Sequence, residues 1–479
     1  MNTALDELLG VRQLAPPTEK IDMQGQDPVL STRFALGGAS AAILAAIGVA
    51  VNDLWELRTG RRQDLAIKLS HAAAALRSYN YFSVDAAALH DPAAQGNNSA
   101  SINWTLQQQR QAISTPHPTR DGRYFLPHVG LPHLAERALG VLGCDYELEA
   151  VIKAVAGWDG LALEEAIAAV GGCGAMVRSS AEWLAHPQGQ VLAGQPVVEI
   201  IKLGDSPPEP LPAAGARPLS GVRVLDLTRI LAGPTCARTL AEHGADVLMV
   251  TAAHLPQAEM FVRDTSHGKR SCFLDLDKTA DQDRLGALLA DADVFSQGYR
   301  PGVLAQRGLA PEALATIRPG IIYTSMNCYG YAGPMAERAG WEQLAQSVTG
   351  IAAEHGAAEQ GPGRPTLLPA AACDYSTGYL AAYGTLLALG RRAREGGSYH
   401  VRVSLCQSAM FIQRQPRVDY TDTGMDLGQR DLNDILKLTD SAYGKIRHLG
   451  PVLRMTETQP RWDLPSPVLG THEAVWQSR

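Results

Sequence analysis

Between Val222 and Ser325 short apolar runs alternate with helical stretches. Val222–Leu227 is a buried strand, Thr228–Pro234 a turn and Thr235–His243 a helix; Ala245–Val250 is a second strand and Ser271–Asp275 a third. Helix 281–291 leads to Val294–Ser296, and helix 311–317 to Ile321–Ser325. Parallel strands need crossover connections, so this grammar restricts the region to an α/β fold with a Rossmann-like parallel sheet.

No G-x-G-x-x-G follows the first strand; Arg229-Ile230-Leu231-Ala232-Gly233-Pro234 stands there, so NAD and FAD are not supported. Ligands of such sheets lie outside the carboxyl ends of the strands. That directs attention to Thr228–Gly233, Gln297–Gly302 and Asn327–Gly333.

Downstream, Ala371–Leu380 places one acid, Asp374, at the end of an apolar run and before a helix expected over 376–393, with Ser376 and Thr377 able to cap it. Asp374 reads either as an ordinary helix cap or as a carboxylate nucleophile held at a helix N-terminus.

The same pattern occurs earlier. Helix 39–57 stops at Gly60, the strand 64–70 follows, and 71–78 is helical again. Arg58 matches Arg394, an offset of 336 (394 − 58), which also pairs Gly60 with Gly396, Leu69 with Leu405 and Ser40 with Ser376. Asp374 then falls opposite Gly38. We read an internal duplication in which one copy keeps the acid.

Helices at 131–142, 146–155 and 162–170 form a small helical unit, a hairpin strand runs over Asp121–Leu126, and Ser179 with Glu182 forms a capping box. Residues 207–217 are a proline-rich linker and residues 1–30 a loosely packed arm. The run Phe34–Val51 is long enough to raise a membrane question, but its Ala and Gly content favours a buried helix. The 479 residues suffice for two or three domains; a net charge of -7 argues against nucleic acid, and no membrane partner is expected. Seven cysteines without a C-x-x-C indicate reduced thiols and a cytoplasmic protein, without a metal site. His71, His267 and His355 are spaced neither as metal ligands nor as a triad and read as structural.

Taken in order, Pro218–Thr228 with Ala232-Gly233-Pro234, Gly244–Val247, Gly268–Ser271 with Leu274–Leu276, Tyr299–Leu304, Tyr329-Gly330 with Gly333-Pro334, and Asp374 with Gly378 resemble the family III CoA-transferases. This is the group of formyl-CoA transferase, carnitine CoA-transferase and the α-methylacyl-CoA racemases. The resemblance places the Rossmann-like domain at 218–414. It likens 31–206 to the part of the family that follows the catalytic Asp, and Pro465–Glu473, within the tail 415–479, to its C-terminal end. The chain thus looks like two fused, shortened copies, an intrachain counterpart of an interlocked homodimer or a chain that itself dimerises.

The resemblance implies transfer of CoA from an acyl-CoA to a carboxylic acid through acyl-aspartyl and aspartyl-CoA intermediates. CoA is then a substrate, and no cofactor is permanently bound. Asp374 is the implied nucleophile and Glu342 a supporting acid, the latter otherwise a plain helix-surface residue. N–H groups near Ala232, Gly233 or Tyr375 are the expected oxyanion donors. CoA is expected to meet Arg229, Ile230, Leu231, Ala232, Lys269, Arg270, Leu274, Gly298, Tyr299, Arg300, Arg307 and Trp341. Trp341 stands where the racemases place a His, and indole moves no proton at neutral pH, so racemisation is disfavoured. Thr251, Ala252 and Ala253 stand where basic residues often follow the second strand, and Gln95–Asn98 is the nearest counterpart of the formyl-CoA branch's glycine loop. The lost acid at Gly38 and this thinned basic set leave open a second class, a non-catalytic or repurposed CoA-binding protein. Racemase and hydrolase activities are weaker alternatives.

Overall fold

The computed structural model describes residues 3–84, 104–212, 215–359, 363–419, 427 and 429–478. Gln95–Asn98 therefore lies outside the described residues.

A seven-stranded sheet organises the second half. Its spatial order is Lys269–Phe273, Asp246–Thr251, Arg223–Leu227, Val294–Gln297, Ile322–Asn327, Ser398–Ser404 and Glu199–Gly204. Numbered along the chain, the first six strands run 3-2-1-4-5-6, all parallel. That is the doubly wound order, and its direction of winding reverses between Arg223–Leu227 and Val294–Gln297. The seventh strand comes from before the linker and runs antiparallel against Ser398–Ser404.

The first half returns the arrangement on a smaller scale. Ile21–Gln24 pairs parallel with Leu65–Lys68, and Arg454–Met455 from the C-terminal segment closes the other edge antiparallel. Each half thus has an edge strand supplied by the other side of the linker. Two 24-residue helices, Leu36–Thr59 and Ala372–Glu395, pack on one another, and both their ends are displaced by 336 positions (372 − 36, 395 − 59). The next helices, Leu69–Ala75 and Leu405–Arg414, begin at the same displacement (405 − 69). Gly60 closes the first long helix in a left-handed conformation (φ 72°), which a glycine adopts without a Cβ penalty.

Leu36–Thr59 is long and apolar enough to cross a membrane, but it is buried inside the protein. The N-terminal segment differs from the loose arm expected. Thr3–Arg12 is a helix with Ala4, Leu5 and Leu8 buried, Arg12 pairs with Asp53 at 2.7 Å, and the Leu8 carbonyl accepts the Tyr383 hydroxyl at 2.7 Å. The small unit consists of Pro132–Leu142, Leu148–Val155 and Gly160–Ala169 around their own apolar core, beside the strands Tyr124–Pro127 and Gly174–Met176. Ser179 and Glu182 form the capping box reciprocally. Residues 206–212 are irregular, with Glu209 pinned by Arg318 at 2.6 Å. The seven cysteines are unpaired.

Candidate active site

A cleft of about 330 Å³ opens at the carboxyl ends of the strands, at the reversal point of the sheet. Arg229, Ile230, Leu231, Ala232 and Gly233 from the turn after the first strand line it, with Gly298, Tyr299 and Arg300 from the turn after the fourth. Trp341 and Asp374 complete that side. The opposite wall comes from before the linker and includes Leu131, His133, Leu134 and Cys173. The cleft is therefore built by both halves.

Asp374 is the third residue of Ala372–Glu395, not its cap. The helix starts four residues earlier than the Ser/Thr pattern suggests because its capping group comes from elsewhere. Glu342, on the helix Glu342–Thr349, accepts the N–H of Cys373 at 3.1 Å and that of Asp374 at 2.5 Å. Gln346 donates to the same carboxylate at 2.6 Å and accepts the Leu368 N–H at 2.8 Å, fixing the approach to the helix. The acid that satisfies the free N–H groups and meets the dipole is thus Glu342. Glu342 is buried and absent from the cleft lining, so it acts through the backbone of Asp374.

Asp374 itself is 8% exposed, enough to reach the cleft. Burial, and then the charge of Glu342, hold its carboxyl well above the usual range. Burial also raises Glu342, opposed by the hydrogen bonds it accepts from Gln346, Asp374 and Cys373. Those donors make Glu342 the better seat for the shared negative charge. Asp374 is left with a poorly solvated carboxyl whose ionised form is reactive.

The helix Ala232–Glu242 aims its N-terminus at the same place. No side chain caps it, so the N–H groups of Ala232 and Gly233 face the cleft region as donors. The Tyr375 N–H is spent on the Ala371 carbonyl at 3.1 Å, which removes it from the expected oxyanion donors. Close approach of the two helices depends on Gly378, where a Cβ would stand 2.3 Å from the Ala232 carbonyl oxygen. Ile230 adopts φ 71°, a strained conformation for a β-branched side chain, and it lies in the cleft wall.

Four residues expected to meet CoA do not line the cleft. Lys269 is fully buried, paired with Asp226 at 2.8 Å and donating to the Pro234 carbonyl at 2.9 Å. Asp226 also accepts the Thr228 N–H at 3.0 Å, so this pair braces the turn that carries Arg229–Gly233. Arg270 pairs with Asp246 at 2.9 Å and donates to the Val475 carbonyl. Arg307 pairs with Asp277 at 2.7 Å, and Leu274 is in the sheet's apolar core. The positive charges of Lys269 and Arg270 are answered by acids on other strands of the sheet, which linear spacing does not reveal.

Trp341 stacks on His128 with centroids 4.5 Å apart, and burial pushes His128 down to about 3, so it is uncharged near neutral pH. His71, His267 and His355 are buried: His71 meets the Asp431 carbonyl, His267 stacks on His448, and His355 lies 3.4 Å from Thr32. At the residue after Asp374, the Tyr375 hydroxyl donates to Asp264 at 3.1 Å and accepts from Ser78 at 2.9 Å, while Arg238 pairs with Asp264 at 3.2 Å. Ser78, His133 and Cys173 were not singled out from the sequence. The only signal available was the expectation that the two halves complete one another.

Residues 219–435 match the family model described as CoA-transferase family III. Among curated proteins, the chain is 34% identical to an acetyl-coenzyme A transferase, nodX, of Hypoxylon pulicicidum over 67% of this chain and 58% of that protein. It is 32% identical to succinyl-CoA:glutarate CoA-transferase of Mus musculus over 48% of this chain and 53% of that protein. The chain thus spans a little over half the length of these relatives. A crystal structure of a CAIB/BAIF family protein from Brucella suis aligns at 28% identity and a TM-score of 0.37, over 48% of this chain and 65% of that one. Residues 219–435 thus belong to CoA-transferase family III.

Proposed function

We propose that this chain moves coenzyme A from an acyl-CoA thioester to a free carboxylic acid, with Asp374 as the nucleophile. One observation carries the reading: an acidic side chain, raised in pKa by burial, reaches a cleft at the sheet's reversal point beside an uncapped helix N-terminus.

The carboxylate oxygen of Asp374 attacks the thioester carbon, the C–S bond breaks, and CoA leaves as a thiolate. The N–H groups of Ala232 and Gly233 are positioned to stabilise the oxyanion. The thiolate then attacks the aspartyl carbon of the anhydride, releasing the donor's carboxylate and leaving an aspartyl-CoA thioester. The acceptor carboxylate displaces the thiolate to form a second anhydride. Attack of the thiolate on the acceptor's acyl carbon gives the new acyl-CoA and restores Asp374. Carboxylates and thiolate exchange throughout, with no net proton. Arg229, Arg300, Tyr299 and Trp341, with the backbone of Ile230–Ala232 and Gly298, hold the CoA moiety. Racemisation is not supported, because neither Trp341 nor the neutral His128 moves a proton at neutral pH. The equal displacements of paired helices support the reading of the chain as an intrachain pseudo-dimer. The free thiols accord with a cytoplasmic setting.

The test is mass spectrometry after incubation with a panel of acyl-CoAs and hydroxylamine. A hydroxamate at Asp374, absent in Asp374→Ala, is expected; an untouched Asp374 with every donor favours a repurposed CoA-binding protein instead. Asp374→Ala should abolish transfer and leave the fold intact, and turnover like the parent's in that variant overturns the assignment.

A further inference from the structure

Positive charge drawn from both halves gathers in and beside the cleft. Arg137, on the helix Pro132–Leu142, donates to the carbonyl oxygen of Gly171 at 2.9 Å. Arg300, after the linker, donates to the same oxygen, also at 2.9 Å. Two guanidinium groups thus share one neutral acceptor. His133, one turn before Arg137, lines the cleft with Arg229 and Arg300. Partial burial first, and then Arg137, Arg300 and Arg229, lower the pKa of its imidazole. Among the described residues none of these three arginines has a carboxylate partner, whereas the chain's buried Arg12, Arg178 and Arg238 each do. The Nε of Arg229 is buried and meets no partner among the described residues. Like charges gathered without a counter-ion are unfavourable unless an anion completes the group, and guanidinium forks suit the paired oxygens of phosphate or carboxylate.

We propose that His133 and Arg137 of the first half, with Arg229 and Arg300 of the second, close around an anionic group of the substrate at the mouth of the cleft. The group is either a phosphate of CoA or a carboxylate on the acid being exchanged. The proposal rests on the reading of this cleft as the transfer site and gives the first half a direct part in substrate binding. It also fixes a directional requirement: the anion must enter between the helix Pro132–Leu142 and the turn Gly298–Arg300, so neither half alone provides the site.

Calorimetric titration of the full chain tests it, using CoA, dephospho-CoA, pantetheine, a four- or five-carbon dicarboxylic acid and a monocarboxylic acid of equal length. Arg137→Gln and Arg300→Gln are compared with Arg137→Lys, which keeps the charge, and thermal unfolding checks each fold. If the anion is a phosphate, Arg137→Gln weakens CoA about tenfold, Arg137→Lys less, and pantetheine is unaffected. If it is a carboxylate, CoA is unmoved, the dicarboxylic acid loses about tenfold and the monocarboxylic acid is unaffected. Binding of every ligand within about twofold of the parent in both Gln variants overturns the proposal. Hydroxylamine trapping on the parent chain, run beside the titrations, separates the two readings. Arg137-dependent binding without any acylation of Asp374 upholds the anion site and defeats the transferase reaction; acylation without Arg137 dependence does the reverse.

Discussion

Replacing Glu342 by Gln removes one charge and almost no volume from beside Asp374. The carboxylate serves three donors: Cys373 N–H and Gln346 Nε2 on one oxygen, Asp374 N–H on the other. An amide offers a single oxygen, so one N–H of the helix start faces an NH₂ group. Leaving a buried donor unsatisfied costs about 1–3 kcal/mol. Loss of the charge at the helix N-terminus adds about 0.3–1 kcal/mol. Part of this is offset, since a buried charge is costly and Asp374 no longer stands beside a like charge. We expect about 1–2 kcal/mol in the placement of Asp374, roughly five- to thirtyfold in the rate of its acylation. The pH profile carries the sharper signature. Glu342 is a cause of the raised Asp374 pKa, so the acid limb of the single-turnover rate must move to lower pH in Glu342→Gln. Hydroxylamine trapping after rapid mixing measures both. A limb that stays in place or moves upward, with an unchanged rate, refutes the argument that Glu342 works through the charge and backbone of Asp374.

Asp374→Asn should lose transfer and gain stability. With its folded pKa raised, Asp374 favours the fold most when protonated, below the ordinary carboxylate value of about 4, and that contribution is lost as pH rises through the folded pKa. The variant's melting temperature should exceed the parent's at neutral pH and converge with it in acid, as read by scanning fluorimetry across pH. Lys269→Met strands Asp226 in the core and should cost about 3–5 kcal/mol in denaturant titrations, the usual size for one broken partner of a buried pair. Because the Lys269–Asp226 pair braces the turn that carries Arg229–Gly233, CoA affinity of the folded fraction should fall as well, although Lys269 itself lies outside the cleft; an affinity unchanged at lowered stability would show that the turn holds without the pair.

The backbone plan was legible because it is written locally. Strands such as Arg223–Leu227 are continuous apolar runs, and their alternation with helices dictates a parallel sheet. The sheet's reversal point then makes the turns at Arg229–Gly233 and Gly298–Arg300 the ligand-facing ones. What failed depended on distant partners. The start of Ala372–Glu395 is set by Glu342, 32 residues upstream of Asp374, so Ser376 and Thr377 misled as local caps. Lys269 and Arg270 looked free beside a motif, yet Asp226 and Asp246 meet them across the sheet. The N-terminal helix had a local signal that went unread: Ala4, Leu5 and Leu8 have helical spacing and are buried.

The two long helices begin alike, although only one of them carries an acid at its third position. At Leu36–Thr59 the Asp27 carboxylate accepts the N–H of Gly37 at 3.0 Å and of Gly38 at 2.7 Å. At the same displacement Glu342 accepts those of Cys373 and Asp374. Both helices therefore start on an acid brought from another segment, and the capping role is independent of the nucleophile. At the first helix a Cβ on Gly37 would stand 2.7 Å from an Asp27 oxygen, so that side chain fills the space beside the helix start. Reactivity in the reading proposed here needs more than the cap. It needs an acid at the third helical position, an uncapped helix N-terminus facing it, and a wall from the other half. Among these conditions the first helix visibly lacks the acid, since its third position is Gly38. The first half nonetheless supplies the seventh strand of the large sheet, one wall of the cleft and the Ser78 hydroxyl under Tyr375. Its retention follows from those contributions, because removing it opens the cleft to water and exposes the anhydride intermediate on which the proposed transfer depends.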